Sequence, residues 1–203
     1  MQLPGTAAAA VLLITLTGMT APSDNGSSII AAVDARNATL ASFTFKADVA
    51  VAMHHFPWMH FRLSGEGRYR RGDSYIVHFT KMPWFASHIH DVDLSMIDPT
   101  LWPKDYSYSV VGTEGVDTIF ALQALHDPTL TQARVALNEA GADWVDATYT
   151  DGMHIHMAVT ADTASGYLLP SKLDVAIDAP HMPLSAQADF SHYQFSSGSG
   201  SLR

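Results

Sequence analysis

The sequence predicts a mainly β (α+β) protein. It would be one highly curved antiparallel sheet, bent toward or into a barrel, with a short N-terminal helix and a covering loop-helix segment. Three observations carry this. Apolar and polar residues alternate with a period of two over long stretches. Turn signals interrupt those stretches at intervals of roughly 10–14 residues, the spacing of an all-β sandwich or barrel. The connections are also too short for the dozen or more residues that a parallel crossover needs.

Residues 1–22 read as a signal peptide. The first 23 residues carry no charged side chain, and Ala7–Leu16 is apolar apart from Thr15. That run is too short to span a bilayer but long enough for a signal core. Met19-Thr20-Ala21 offers a cleavage site, although the start lacks the usual Lys or Arg. The mature chain would then be periplasmic or secreted. Ser23–Ser28 reads as a linker that also caps a helix over Ile29–Leu40, with Ile29, Ile30, Val33 and Leu40 on one face.

Three strands follow in a meander. In the first, Phe43, Phe45, Ala47, Val49, Val51 and Met53 share one face. In the second, Met59, Phe61, Leu63 and Tyr69 do so, and in the third, Tyr75, Val77 and Phe79. Arg71-Gly72-Asp73 turns the chain between the last two. Residues 83–97, rich in Trp, Phe, Met and Ile, read as an irregular or partly helical excursion across the open sheet face. Asp98-Pro99 and Trp102-Pro103 break any long helix there.

Strands resume at Tyr106–Gly112 and Val116–Leu125. Thr131–Leu137 is next, and Trp144–Tyr149 with Met153–Val159 forms a hairpin around Asp151-Gly152. Leu168–Ile177 and Leu184–Phe195 complete the set. The tail, residues 196–203, is Ser/Gly-rich and reads as disordered. Residues 28–195 form a single domain with no internal repeat.

The 203 residues are 47% hydrophobic and 15% charged, which excludes a disordered chain. A net charge of −9 without a basic patch argues against nucleic acid and anionic membrane surfaces. The absence of cysteine removes disulfides, thiolate metal sites and a cysteine nucleophile. No nucleophile elbow, phosphate loop or dinucleotide fingerprint is present, and no cofactor is expected.

Histidine is unusually frequent, with eleven copies. His88/His90 and His154/His156 are His-x-His pairs, which share a face on a strand and can bite one metal ion. Asp91 and Asp93 stand close behind the first pair. A metal-dependent enzyme built on these four histidines is one alternative; surface histidines are the other reading of the same residues. Asn37-Ala38-Thr39 matches a glycosylation acceptor but falls inside the expected helix.

The long strands Phe43–His54, Pro57–Arg70 and Ser74–Met82 form one recognisable series. Met82-Pro83-Trp84-Phe85 opens the covering segment, and His126-Asp127-Pro128 leads on to Leu137. This layout, over residues 28–195, resembles the LolA/LolB-like fold of periplasmic lipoprotein carriers and their relatives. The resemblance implies an incomplete, highly curved antiparallel barrel closed by helices over a hydrophobic cavity that accepts acyl chains. It points to a relative of the carriers, and without an anchor cysteine the chain differs from the anchored receptor branch.

On this basis the expected function is a non-enzymatic, exported carrier. Its ligand would be a hydrophobic small molecule, a lipid or a lipoprotein acyl chain, with a cell-envelope protein as a further partner. The residues expected to line the cavity are Phe45, Val49, Val51, Phe61, Leu63, Phe79, Trp84, Phe85 and Phe120. A structural cell-envelope protein whose concave face is simply filled core is the second alternative.

Overall fold

A computed structural model describes residues 24–56, 58–81, 90–180 and 183–196. The expected signal peptide, the tail beyond Ser196, and Trp84, Phe85 and His88 of the expected covering segment lie outside the described residues. In chain order the elements are helix α1 (Asp24–Arg36) and strands β1 (Ser42–Met53), β2 (His60–Arg70), β3 (Ser74–Lys81) and β4 (Asp91–Asp93). A 3-10 turn (Ser95–Ile97) and the short helix α2 (Trp102–Asp105) come next. Strands β5 (Tyr106–Glu114), β6 (Asp117–Ala124), β7 (Leu130–Asn138), β8 (Gly141–Tyr149), β9 (His154–Ala164), β10 (Tyr167–Asp178) and β11 (Leu184–Ser196) follow.

Among the described residues these strands form one 11-stranded antiparallel sheet, in the order β4-β3-β2-β1-β11-β10-β9-β8-β7-β6-β5. Strand β1 pairs with both β2 and β11, so the first long strand and the last lie side by side at the centre. The ends, β4 and β5, do not pair, and the barrel stays open along a seam between them. Elsewhere each strand neighbours its sequence neighbour, as short turns require.

The alternation read from the sequence decides the facing. In β1, Phe43, Phe45, Ala47, Val49, Val51 and Met53 are buried, while Thr44, Lys46, Asp48 and Ala50 face solvent. In β3, Tyr75, Val77 and Phe79 are buried. Strand β7 is irregular at its start. A bulge between Leu130 and Gln132 puts Leu130 inside and leaves Thr131 exposed, before Ala133, Val135 and Leu137 take the inner face. Val116, expected to open its strand, is in the preceding turn and is 83% exposed.

Helix α1 starts and ends several residues earlier than its apolar stripe implied. Its C-terminus is held by Arg71 of the β2–β3 turn. The guanidinium donates to the carbonyl of Asn37 at 2.6 Å and to that of Asp34 at 3.2 Å, and pairs with the Asp34 carboxylate. The Asp34 carbonyl is in the last turn, where a helix leaves its carbonyls without intrahelical partners, so the arginine serves as a cap there; the Asn37 carbonyl also accepts from the Leu40 N–H at 2.9 Å. Asn37 therefore lies past the helix, and its amide donates to the Leu168 carbonyl at 3.0 Å. The same turn reaches α2, because Lys104 Nζ donates to the Asp73 carbonyl at 2.6 Å. Gly72, at the corner, has φ +67°, a backbone region that glycine enters without strain.

The covering segment is partly regular. Residues 91–93, expected to be irregular, form β4 on the edge of β3, in the register Ile76↔Asp93, Val77↔Val92 and His78↔Asp91. The 3-10 turn then crosses the concave interior and packs on both β3 and β8. Leu94, Ile97, Leu101 and Trp102 are buried, and Trp102 is fully so. Its indole N–H donates to the Met96 carbonyl at 3.0 Å. Among the described residues no helix is long and apolar enough to cross a membrane.

Candidate functional site: a blind apolar cavity

The inner face of the sheet differs along its length. At one end it is filled with aromatic rings. Phe43 stacks on Tyr69 with centroids 4.8 Å apart, and Phe45 meets Phe190 at 5.0 Å, Tyr193 at 5.7 Å and Tyr75 at 5.8 Å. Strand β2 makes room for these rings by carrying Gly65 and Gly67 at inward positions. A β-carbon at Gly67 would overlap the Phe45 ring. Helix α1 closes this end through Val33, together with Leu40 of the connection that follows it.

A small space of about 60 Å³ lies between α1 and the aromatic end, with Arg36, Asn37, Tyr75, Asp98 and Thr100 among an otherwise largely apolar lining. Asp98 accepts from the Thr100 N–H at 2.9 Å and from the Tyr69 hydroxyl, and burial pushes its carboxyl above the usual range. Burial also raises Tyr75, whose hydroxyl, together with Asn37 Oδ1 and Arg36 Nε, has no protein partner.

Further along the strands the inward residues become smaller, and the two walls separate. Ala47, Val49 and Val51 of β1, Phe61 and Leu63 of β2, and Val77 and Phe79 of β3 form one side. Val145 and Ala147 of β8, Ile155 and Met157 of β9, Leu173, Val175 and Ile177 of β10, and Leu184, Ala186 and Ala188 of β11 form the rest. Together with the 3-10 turn they enclose about 670 Å³. This is the size and apolar lining of a small-molecule or lipid pocket. The space remains because Ala47, Ala147, Ala186 and Ala188 stand where larger side chains would meet across the interior.

The ionisable residues that border the cavity are Asp91 and Asp93 of β4, Asp105 at the end of α2, and His126 and Asp127 of the β6–β7 turn. Asp91 and Asp93 stand opposite His78 and Ile76, so their side chains are on the outer face of the sheet, and Val92 is the residue of β4 that faces inward beside Val77. Asp93 accepts the Ser95 N–H at 2.7 Å, and Asp127 accepts the Thr129 N–H at 2.8 Å and its hydroxyl at 2.6 Å. Those bonds hold the Asp127 carboxyl below the usual range. Tyr106 hydrogen-bonds Ser95 Oγ at 3.2 Å. Burial pushes its hydroxyl up to about 12, reinforced by Asp93 and Asp105.

Of the nine residues expected to line the cavity, the structure brings together Val49, Val51, Phe61, Leu63 and Phe79. Phe45 faces inward but sits on Gly67 within the aromatic fill, away from the cavity wall. Phe120 is buried against Trp102 at 5.2 Å, beneath Gly26 of α1. Trp84 and Phe85 lie outside the described residues. Sequence reading missed Ile155, Met157, Val175 and Ala186, although their alternation was visible. Asp91 and Asp93, considered as ligands beside His88 and His90, are exposed on the outer face, and Asp91 meets His78 Nδ1 at 2.8 Å.

Among the described residues, His90 is not brought together with His154 and His156. His154 and His156 are on the outer face of β9, where both approach Asp146 Oδ1, at 3.7 Å and 2.7 Å. His90 is exposed just before β4. Among the described residues, no group of three or more His, Asp or Glu side chains is disposed to hold a metal ion.

No family model matches the sequence, and no curated protein matches it. Solved structures do match by shape. A LolA superfamily protein from Nitrosomonas europaea superposes with a TM-score of 0.59 at 12% identity, over 84% of this chain and 93% of its own. A DUF1329 family protein from Desulfovibrio piger gives a TM-score of 0.58 at 8% identity, over 85% and 92%. A domain assigned to outer membrane lipoprotein sorting, from Vibrio parahaemolyticus, gives 0.56 at 10% identity, over 87% and 96%. The open, strongly curved antiparallel sheet with its covering helix is therefore the LolA-like fold that the order of strands implied.

Proposed function

We propose that this protein is an exported, non-enzymatic carrier that shields a lipid or acyl chain in the concave face of its sheet. The observation that supports this reading is the cavity of about 670 Å³, bounded mainly by apolar side chains. The mechanism is burial. Each methylene moved from water to an apolar wall contributes about 0.8 kcal/mol, so one acyl chain supplies most of a useful affinity without any bond being made or broken. The likeness to a lipoprotein-sorting domain is in keeping with such cargo. The cargo would be passed between partners of the cell envelope.

Native mass spectrometry of the purified protein, with organic extraction of what co-purifies, tests this directly. A lipid adduct is the expected result. The adduct should be lost from a folded Phe61→Asp variant, because a carboxylate would then sit on the apolar wall and cost the chain its dry environment. A wild-type protein that stays empty when offered phospholipid vesicles or acylated peptide would overturn the reading and leave a purely structural role.

A further inference from the structure

Among the described residues the sheet has two edges, and they differ. The β4 edge is three residues long and reads Asp91-Val92-Asp93. It is short and charged, two features that keep an edge strand from pairing with another chain. The β5 edge is nine residues long, and Tyr106–Thr113 contains no charged residue and no proline. Its two tyrosines, two valines and threonine favour strand.

The ladder shows which backbone groups of β5 are free. The Leu125 N–H donates to the Asp105 carbonyl at 2.9 Å, and Tyr106 stands opposite Ala124. Hydrogen-bonded positions alternate along an antiparallel pair. Ser107 and Ser109 therefore turn their N–H and C=O toward β6, and Tyr108 and Val110 turn theirs to the open edge. The Tyr106 N–H is already taken, because it donates to the Trp102 carbonyl at the end of α2. Apolar side chains are uncovered here as well. Of the seven large apolar residues exposed among the described ones, Tyr108, Val111, Val116 and Leu125 belong to the β5–β6 hairpin or border it.

We propose that β5 pairs antiparallel with β5 of a second copy, so that the protein forms a two-fold dimer through this edge. A strand paired antiparallel with itself presents the same patch on both sides, as a two-fold interface requires. With the axis at Ser109, Tyr108 of each copy stands opposite Val110 of the other. Every N–H and C=O that these two residues turn outward then has a partner, and an aromatic side chain lies beside a β-branched one, a favourable cross-strand pair. Charge favours this edge over the rest of the surface. Two copies of a chain of net charge −9 repel each other, and along Tyr106–Thr113 they can meet without opposing carboxylates. Each Glu114 comes to the end where the second copy carries Lys104 as well as Asp105. The inference stands apart from the carrier reading and does not depend on it.

Sedimentation velocity of the whole protein, from low to high micromolar, tests this. The expected result is a monomer–dimer equilibrium, with amide exchange at Tyr108 and Val110 slowing as the dimer forms. A Ser107→Lys/Ser109→Lys variant changes two exposed side chains of β5 and sets lysines against lysines across the axis. It should weaken dimerisation about tenfold, and so should Ser107→Glu/Ser109→Glu. An equimolar mixture of the two variants should recover the dimer.

A wild type that stays monomeric across the range overturns the inference and leaves the carrier reading untouched. A dimer that both variants retain places the contact on another face and also overturns it, as does a mixture that stays monomeric. Exchange at Tyr108 and Val110 that is slow at every concentration counts against it too, because the edge is then covered within one chain.

Discussion

The ring of Phe45 occupies the space that a β-carbon on Gly67 would need, and the two residues are direct cross-strand partners in β1 and β2. One aromatic ring and one missing side chain thus close an end of the half-barrel. A Gly67→Ala substitution should cost about 1–3 kcal/mol, the usual penalty for overpacking a filled core. Gly112, where a β-carbon would meet nothing within 4 Å, is the matched control. Gly112→Ala should stay within about 0.5 kcal/mol of wild type. Urea midpoints that fall equally for both would show that the ring is not confined there.

Arg71 caps α1 from a different part of the chain. Arg71→Ala should destabilise the protein by about 1–3 kcal/mol, since it removes charged hydrogen bonds to half-buried carbonyls. Arg71→Lys should recover only part of this, because one ammonium cannot match a planar fork spanning two carbonyls. Amide exchange should speed up in α1 ahead of β1. Uniform acceleration across both elements would count against a local cap.

Asp98 gives the stability a pH dependence of defined sign. Its carboxyl is raised in the folded protein, chiefly by burial, so the folded state holds the proton more tightly than the unfolded chain. Stability therefore falls as pH climbs from the ordinary carboxylate value through the raised one. Asp98→Asn keeps an acceptor for the Thr100 N–H and cannot ionise. Relative to wild type it should gain stability at neutral pH and lose that gain near pH 4, which denaturation at the two pH values would read. A constant offset at both would refute the assignment.

Tyr75 carries a buried hydroxyl without a protein partner. Tyr75→Phe should leave stability unchanged or raise it by up to about 1 kcal/mol, because an unpaired buried hydroxyl contributes only its desolvation cost. A loss above about 1 kcal/mol in a thermal melt would instead reveal a water held in the adjoining space.

The strands were legible in the sequence because alternation is enforced residue by residue along a half-buried strand. Phe43 to Met53 could face only one way once Lys46 and Asp48 had to reach solvent. Strand β4 was not legible, since Asp-Val-Asp has no strand character of its own and exists through pairing with Ile76 to His78. The cavity was half legible. Phe45 and Val49 share a face, and nothing in their own alternation says that one fills the interior and the other borders a void. The signal lay on the partner strand. Gly65 and Gly67 mark where β2 yields to rings, and Leu63 and Phe61 mark where it does not. The polar border of the cavity was illegible because Asp105 and Asp127 belong to separate connections and reach one cavity wall only through the pairing of β5 with β6.

The aromatic end makes the cavity a cul-de-sac. Cargo that goes in tail first must come out head first, back along its own path. For a carrier this forbids a relay in which donor and acceptor sit at opposite ends of a tunnel. Both must work from the side away from the rings, so a donor that lingers on the loaded protein stands in the way of delivery.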